Sequence, residues 1–167
     1  MEKFLTDNRR FIYILRDPAD TLISFWRQLH QFTEDKEMAE NTYGGTLREF
    51  LALSPQKKLR KYQQDEFSDY FSRWAEHANE WLSLSEKNSN VLSISFENLK
   101  RDYTPTLNSV LEVCGYSGEK FCKKPSCQVS VVEKEKAFSE SDEEFFRKEI
   151  NTSLKNYPKL FALYGKS

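Results

Sequence analysis

Phe11 to Leu15 (Phe-Ile-Tyr-Ile-Leu) is an unbroken apolar run, too short for most helices and rich in β-forming residues. Such a run suits a strand buried on both faces, as in a parallel sheet. Asp17 and Pro18 follow, a favoured helix N-cap and a residue whose φ is pre-set for the first helical position. Asp20 falls in the first turn, where the helix dipole favours negative charge. Beyond it Leu22, Phe25, Trp26 and Leu29 share one helical face, and Asp20, Ser24 and Arg27 share the other. The pattern predicts a strand-to-helix unit with Arg16 at the carboxyl end of the strand and Ser24 on the polar side of the helix.

The same reading carries along the chain. Gln31 to Gly45 is polar and reads as a loop, and Thr46 to Leu53 as a short helix with Leu47, Phe50 and Leu51 at helical spacing before Ser54-Pro55. Asp65 to Glu86 is the longest predicted helix, with Phe67, Tyr70, Phe71, Trp74, Ala78, Trp81 and Leu82 in one stripe and His77 at its edge. By that spacing the tryptophans belong to the core. Val91 to Phe96 is the second strand, reached through an Asn88 to Asn90 turn. Thr104-Pro105 opens a helix bearing Leu107, Val110, Leu111 and Cys114, which Gly115 closes at the C′ position. Ser117 to Gln128 reads as a connector and Ser130 to Phe138 as helical. The fold class expected is α/β and helix-rich, a single domain over residues 1–167 with two parallel strands flanked by helices.

Composition narrows the function classes. Lysine plus arginine total 25 against 26 acidic residues, a net charge of −1, so no global field points to nucleic acid. The compact basic run Lys57 to Lys61 reads as a solvated face. Three cysteines make no disulfide framework, although Cys122 and Cys127 could pair, and with two histidines elsewhere a metal site is not expected. No signal peptide and no membrane-spanning run is legible, and a reduced cytoplasmic setting is the default. The five glycines form neither a Gly-x-x-x-x-Gly-Lys-Ser/Thr nor a Gly-x-Gly-x-x-Gly cradle.

The candidate chemistry lies at the strand-to-helix turn. In open α/β sheets ligands bind beyond the carboxyl ends of the strands, and an arginine fork with a hydroxyl suits a phosphate. From spacing alone, a solvated arginine and a solvated serine at a helix start is the commoner outcome.

Tyr13-x-x-Arg16-Asp17-Pro18-x-Asp20-x-x-x-Ser24 resembles the 3′-phosphate-binding motif of the PAPS-dependent sulfotransferases, where PAPS is 3′-phosphoadenosine 5′-phosphosulfate. Further matches follow in order. Trp74-x-x-His77-x-x-x-Trp81 and Phe96-Glu97-Asn98-Leu99-Lys100 resemble family segments, as does Phe145-Phe146-Arg147-Lys148 with Lys155-Asn156. The resemblance implies that Arg16, Ser24, Arg147 and Lys148 anchor the nucleotide. It also implies that Phe96 lies near the adenine and that Ser130 stands in the stretch touching the adenosine. It implies an incomplete P-loop-type sheet, with the chain a C-terminal portion of a sulfotransferase domain. The strand–phosphosulfate loop–helix unit and the general-base histidine would lie upstream of it. PAPS or its product PAP, without a metal, would be the co-substrate, and a small hydroxyl or amine compound the acceptor.

Departures from the family pattern qualify that picture. Glu149 and Thr152 stand where the family has glycines, and Leu154 where it has tryptophan. Glutamate adds like charge beside an anion and favours a helix, so this stretch is expected to be helical or a weakened clamp. The family's dimer-forming segment is not recognisable in Lys159 to Tyr164. Two readings follow: a sulfuryl-transferring enzyme or a fragment of one, or a degenerate PAP-binding or protein-interaction module.

Overall fold

In this computed structural model the described residues are 9–34, 36–54, 67–118 and 139–165. They form two compact units, one made of Met1–Arg16 and Glu80–Val131, the other of Asp17–Asn79 and Val132–Ser167.

The first unit holds the sheet. Strand β1 is Phe11–Leu15 and β2 is Val91–Ser95, paired parallel in the register Phe11 to Val91 through Leu15 to Ser95. Its outer face corrects one expectation. Ile12 and Ile14 are 38% and 55% exposed, so among the described residues β1 is covered on one face only. The alternation of side chains explains which face: Phe11 and Tyr13 point the other way, onto the Trp81 ring. The Tyr13 and Trp81 rings stack with centroids 5.1 Å apart.

Helix Phe96–Arg101 starts directly from β2, which therefore ends one residue earlier than its hydrophobic pattern predicts. Ser95 causes the break by capping it, its side chain accepting from the Asn98 amide at 3.0 Å. The next helix, Tyr103–Val113, begins two residues before Pro105. Proline is tolerated there because first-turn amides have no intrahelical partner to lose. Gly115 closes it as expected, at φ +71°, with the Tyr116 amide donating to Leu111 and the Gly115 amide to Glu112.

The second unit holds most of the buried side chains. Helix α1, Pro18–Gln31, is capped by Asp17, whose carboxylate accepts from the Asp20 amide at 2.9 Å. It buries Ala19, Leu22, Ile23 and Trp26. Helix α2, Lys36–Tyr43, lies where the sequence reads as a loop. It packs on α1 through Ala39, its one buried residue, with the Tyr43 ring edge-on to His30, and one buried position leaves no periodicity to detect. Helix α3, Leu47–Leu51, begins in a full capping box between Thr46 and Glu49 and buries Leu47 and Phe50.

The long helix α4 is Tyr70–Lys87; Asp69 sets its start, accepting from the Ser72 amide at 2.7 Å. In the second unit it supplies Tyr70, Phe71, Ala75 and Ala78 to the core. Its Trp74 and Trp81 are partly buried, and His77 at the stripe's edge is exposed. We number the helices after β2, Phe96–Arg101 and Tyr103–Val113, α5 and α6. Helix α7, Glu140–Leu154, packs against α1 and α3 with Phe146, Ile150 and Leu154 buried, and α8, Pro158–Tyr164, follows with Leu160 buried.

Candidate functional site

The parallel register decides what meets at the end of the sheet. Leu15 pairs with Ser95, so the residues that follow them, Arg16 and Phe96, emerge side by side at the carboxyl ends of both strands. The Arg16 guanidinium carbon lies 5.5 Å from the Phe96 ring centroid, and the Lys100 ammonium lies 5.6 Å from it. Phe96 is 36% exposed rather than a core phenylalanine. An exposed ring with two cations gains about 0.5–1 kcal/mol per contact and offers a stacking surface beside positive charge. Lys100 was legible as a partner, being four residues on from Phe96 in one helix.

In the second unit Ser24 is half-buried on α1 and Lys148 is exposed on α7. Ser130 and the Ser130 to Phe138 helix lie outside the described residues, as do Cys122 and Cys127; the Cys114 thiol is exposed, not on a packed face.

Arg147 departs most from the sequence reading. Its Nη2 donates to Asp20 Oδ1 at 2.6 Å and to Glu143 Oε1 at 2.9 Å, and its Nε donates to Glu143 Oε1 at 3.0 Å. Nη1 faces Asp17 Oδ1 at 3.7 Å. Burial works against the charged form of Arg147, but the hydrogen bonds and attraction from Asp20 and Glu143 outweigh it and raise its pKa above the ordinary value. The Glu143 pairing is a four-residue helix spacing visible in sequence. The Asp20 pairing spans 127 residues and could come only from packing α7 on α1.

A cavity of about 40 Å³ beside this cluster is lined by Asp17, Pro18, Ala19, Arg147, Ile150, Asn151, Leu154 and Tyr164. That is room for water, far below the roughly 300 Å³ or more of a ligand cleft. The stretch with Glu149 and Thr152 is helical as expected; the Thr152 hydroxyl donates to the Lys148 carbonyl at 3.0 Å, a bond internal to the helix.

The family model described as a sulfotransferase domain matches residues 1–159, nearly the whole chain. The chain belongs to the sulfotransferase family. It is 28% identical over 119 residues to 3-beta-hydroxysteroid sulfotransferase of Cavia porcellus, covering 71% of this chain and 34% of that protein. It is 28% identical over 121 residues to 3-alpha-hydroxysteroid sulfotransferase of the same species. Sulfotransferase 4A1 of Homo sapiens is 26% identical over 111 residues, covering 66% of this chain and 33% of that protein. The chain thus spans about a third of the length of the curated relatives it matches. The family match begins at residue 1, ahead of β1, and does not bear out the expectation that the chain is a C-terminal portion of the domain. The helix-rich α/β architecture with its parallel strands is that of the family expected from the sequence. Among the described residues no helix is long and apolar enough to cross a membrane, and no group of three acidic, histidine or cysteine residues could hold a metal.

Proposed function

We propose that the protein takes part in transfer of a sulfuryl group from PAPS to a hydroxyl or amine of a small acceptor, leaving PAP. Membership of the sulfotransferase family carries this reading. The nucleotide residues we assign are Arg16, Phe96, Ser24, Lys148 and Ser130, after the motifs they stand in. Arg16 beside the exposed Phe96 ring supports the assignment, since a cation next to a stacking face suits a phosphorylated purine nucleoside. The transfer itself is in-line, and charge on the sulfuryl oxygens is offset by preorganised cations and amides. The assigned residues bind and orient the nucleotide and perform none of the chemistry.

The second reading, a binding module without turnover, is favoured by one observation: Glu149 and Thr152 stand where the family motif has glycines. We expect this chain alone to bind PAP weakly and to transfer no sulfuryl group. Removing one preorganised donor already costs about a hundredfold or more in rate. Calorimetric titration of PAP, with Arg16→Ala beside it, tests the nucleotide site. Saturable binding weakened by the substitution is expected, and binding indifferent to it would refute the assignment of Arg16. Turnover with PAPS and a panel of phenols, alcohols and amines, lost in Arg16→Ala, would overturn the expectation of inactivity.

A further inference from the structure

We propose that Arg147 is a positioning residue that ties helix α7 to the first turn of α1, the helix carrying Ser24, and is not a phosphate ligand. The proposal rests on the nucleotide-binding reading above and departs from the role that the family motif gives this arginine.

The donor count carries it. A guanidinium has five N–H bonds in a planar fork, and bidentate recognition of an oxyanion needs two adjacent ones. The single Nε hydrogen and both Nη2 hydrogens of Arg147 are directed at Glu143 and Asp20. Only Nη1 remains, and it faces the Asp17 carboxylate at 3.7 Å. Neither edge of the fork keeps two adjacent donors for a phosphate. Charge gives the same answer, because an anion approaching Arg147 meets one guanidinium among three carboxylates.

What the cluster grips is specific. Asp17 caps α1 through the Asp20 amide, and its carbonyl accepts from the Thr21 amide at 2.9 Å. Asp20 meanwhile reaches out to Arg147. One residue of α7 therefore holds both acidic groups of the Asp17-Pro18-x-Asp20 turn, and this sets the direction in which α1 leaves that turn. The sequence keeps Arg147 while losing the glycines beside it, as a retained tie and a lost phosphate clamp would require.

The test is a mutant cycle on the full chain, with PAP as the probe. Arg147→Met keeps the apolar stem, Asp20→Ala cuts the strongest contact, and the double variant completes the cycle. Calorimetry gives PAP affinity, and hydrogen exchange follows the Asp20 and Thr21 amides without ligand. We expect Arg147→Met to weaken PAP about tenfold and to speed exchange of both amides. In the Asp20→Ala background, where the tie is already cut, Arg147→Met should change affinity less than about twofold. A direct phosphate ligand behaves oppositely: its loss costs as much or more once Asp20 no longer competes for it, and that result overturns the proposal. Unchanged PAP affinity in Arg147→Met, with faster exchange, overturns it too by leaving a purely structural contact. If the unmutated chain binds no PAP, the nucleotide reading fails; exchange then judges the tie, and amides indifferent to both substitutions refute it. Arg147→Lys, which keeps the charge but not the fork, replaces Arg147→Met should the latter not fold, with partial loss expected.

Discussion

Gly44→Ala tests the tightest local geometry of the second unit, and Gly45→Ala is its control. Gly44 sits at φ +79° between α2 and α3. A methyl group built on it lies 2.9 Å from Glu49 Cβ and 2.9 Å from the Phe50 amide nitrogen. The neighbour is backbone and cannot rotate away. Alanine in the left-handed region costs about 1–2 kcal/mol. Relief of the clash must pull on the capping box, in which Glu49 accepts from the Gly45 and Thr46 amides at 2.8 and 3.1 Å. A weakened cap adds about 1 kcal/mol. The Gly44 carbonyl is also the acceptor for the Trp26 indole at 3.0 Å and lies 3.1 Å from His30 Nε2. The expected loss is about 2–4 kcal/mol, which lowers a urea midpoint by roughly 1–2 M. Gly45 needs no left-handed φ, and its nearest neighbour to a new methyl is a flexible carboxylate at 3.6 Å, so Gly45→Ala should stay within about 0.5 kcal/mol. Urea titration followed on the Trp26 indole N–H resonance places the probe at the Gly44 carbonyl itself. Equal midpoints for the two variants would refute the reasoning, because composition is matched and only conformation differs.

Three further outcomes are expected. Phe50→Ala should cost about 3–5 kcal/mol in the same titration, since its ring is 0% exposed and stacked on Tyr70 with centroids 4.5 Å apart; a loss under about 1 kcal/mol would mean the site collapses around the gap. Burial pushes the phenols of Tyr13 and Tyr70 up to about 12. Folded pKa values above the unfolded one, about 10, mean that the unfolded chain loses protons first, so stability is retained below pH 10 and falls as pH rises toward 12. Phenolate absorbance in the folded protein, with denaturation at each pH, would show otherwise if both rings titrated near pH 10. Ser95→Ala should lose about 1 kcal/mol by uncapping α5, and Ser95→Asp, which restores the cap, should recover most of it.

The local rules were legible before any tertiary contact formed. Asp17-Pro18 opens α1, Thr46 with Glu49 opens α3, and Gly115 closes α6, because each feature involves residues within one turn of each other. The helical form of the stretch at Glu149 and Thr152 was legible for the same reason, since losing two glycines removes the backbone freedom a loop needs there. Family membership was legible too, through motifs whose order along the chain is itself a sequence property. Packing decided the rest. No apolar period in Lys36–Tyr43 announces a helix, because it buries one alanine alone. Nothing in Phe11–Leu15 distinguishes a strand covered on both faces from one covered on a single face, since five apolar residues read alike in either setting. Arg16 meets Phe96 because a parallel register aligns the carboxyl ends of the two strands, setting Leu15 beside Ser95, 80 positions further along the chain. Arg147 in sequence is a cation in a phosphate-binding motif. Its partner 127 residues away makes it a carboxylate's counter-ion, because a guanidinium has only as many donors as its nearest neighbours leave it.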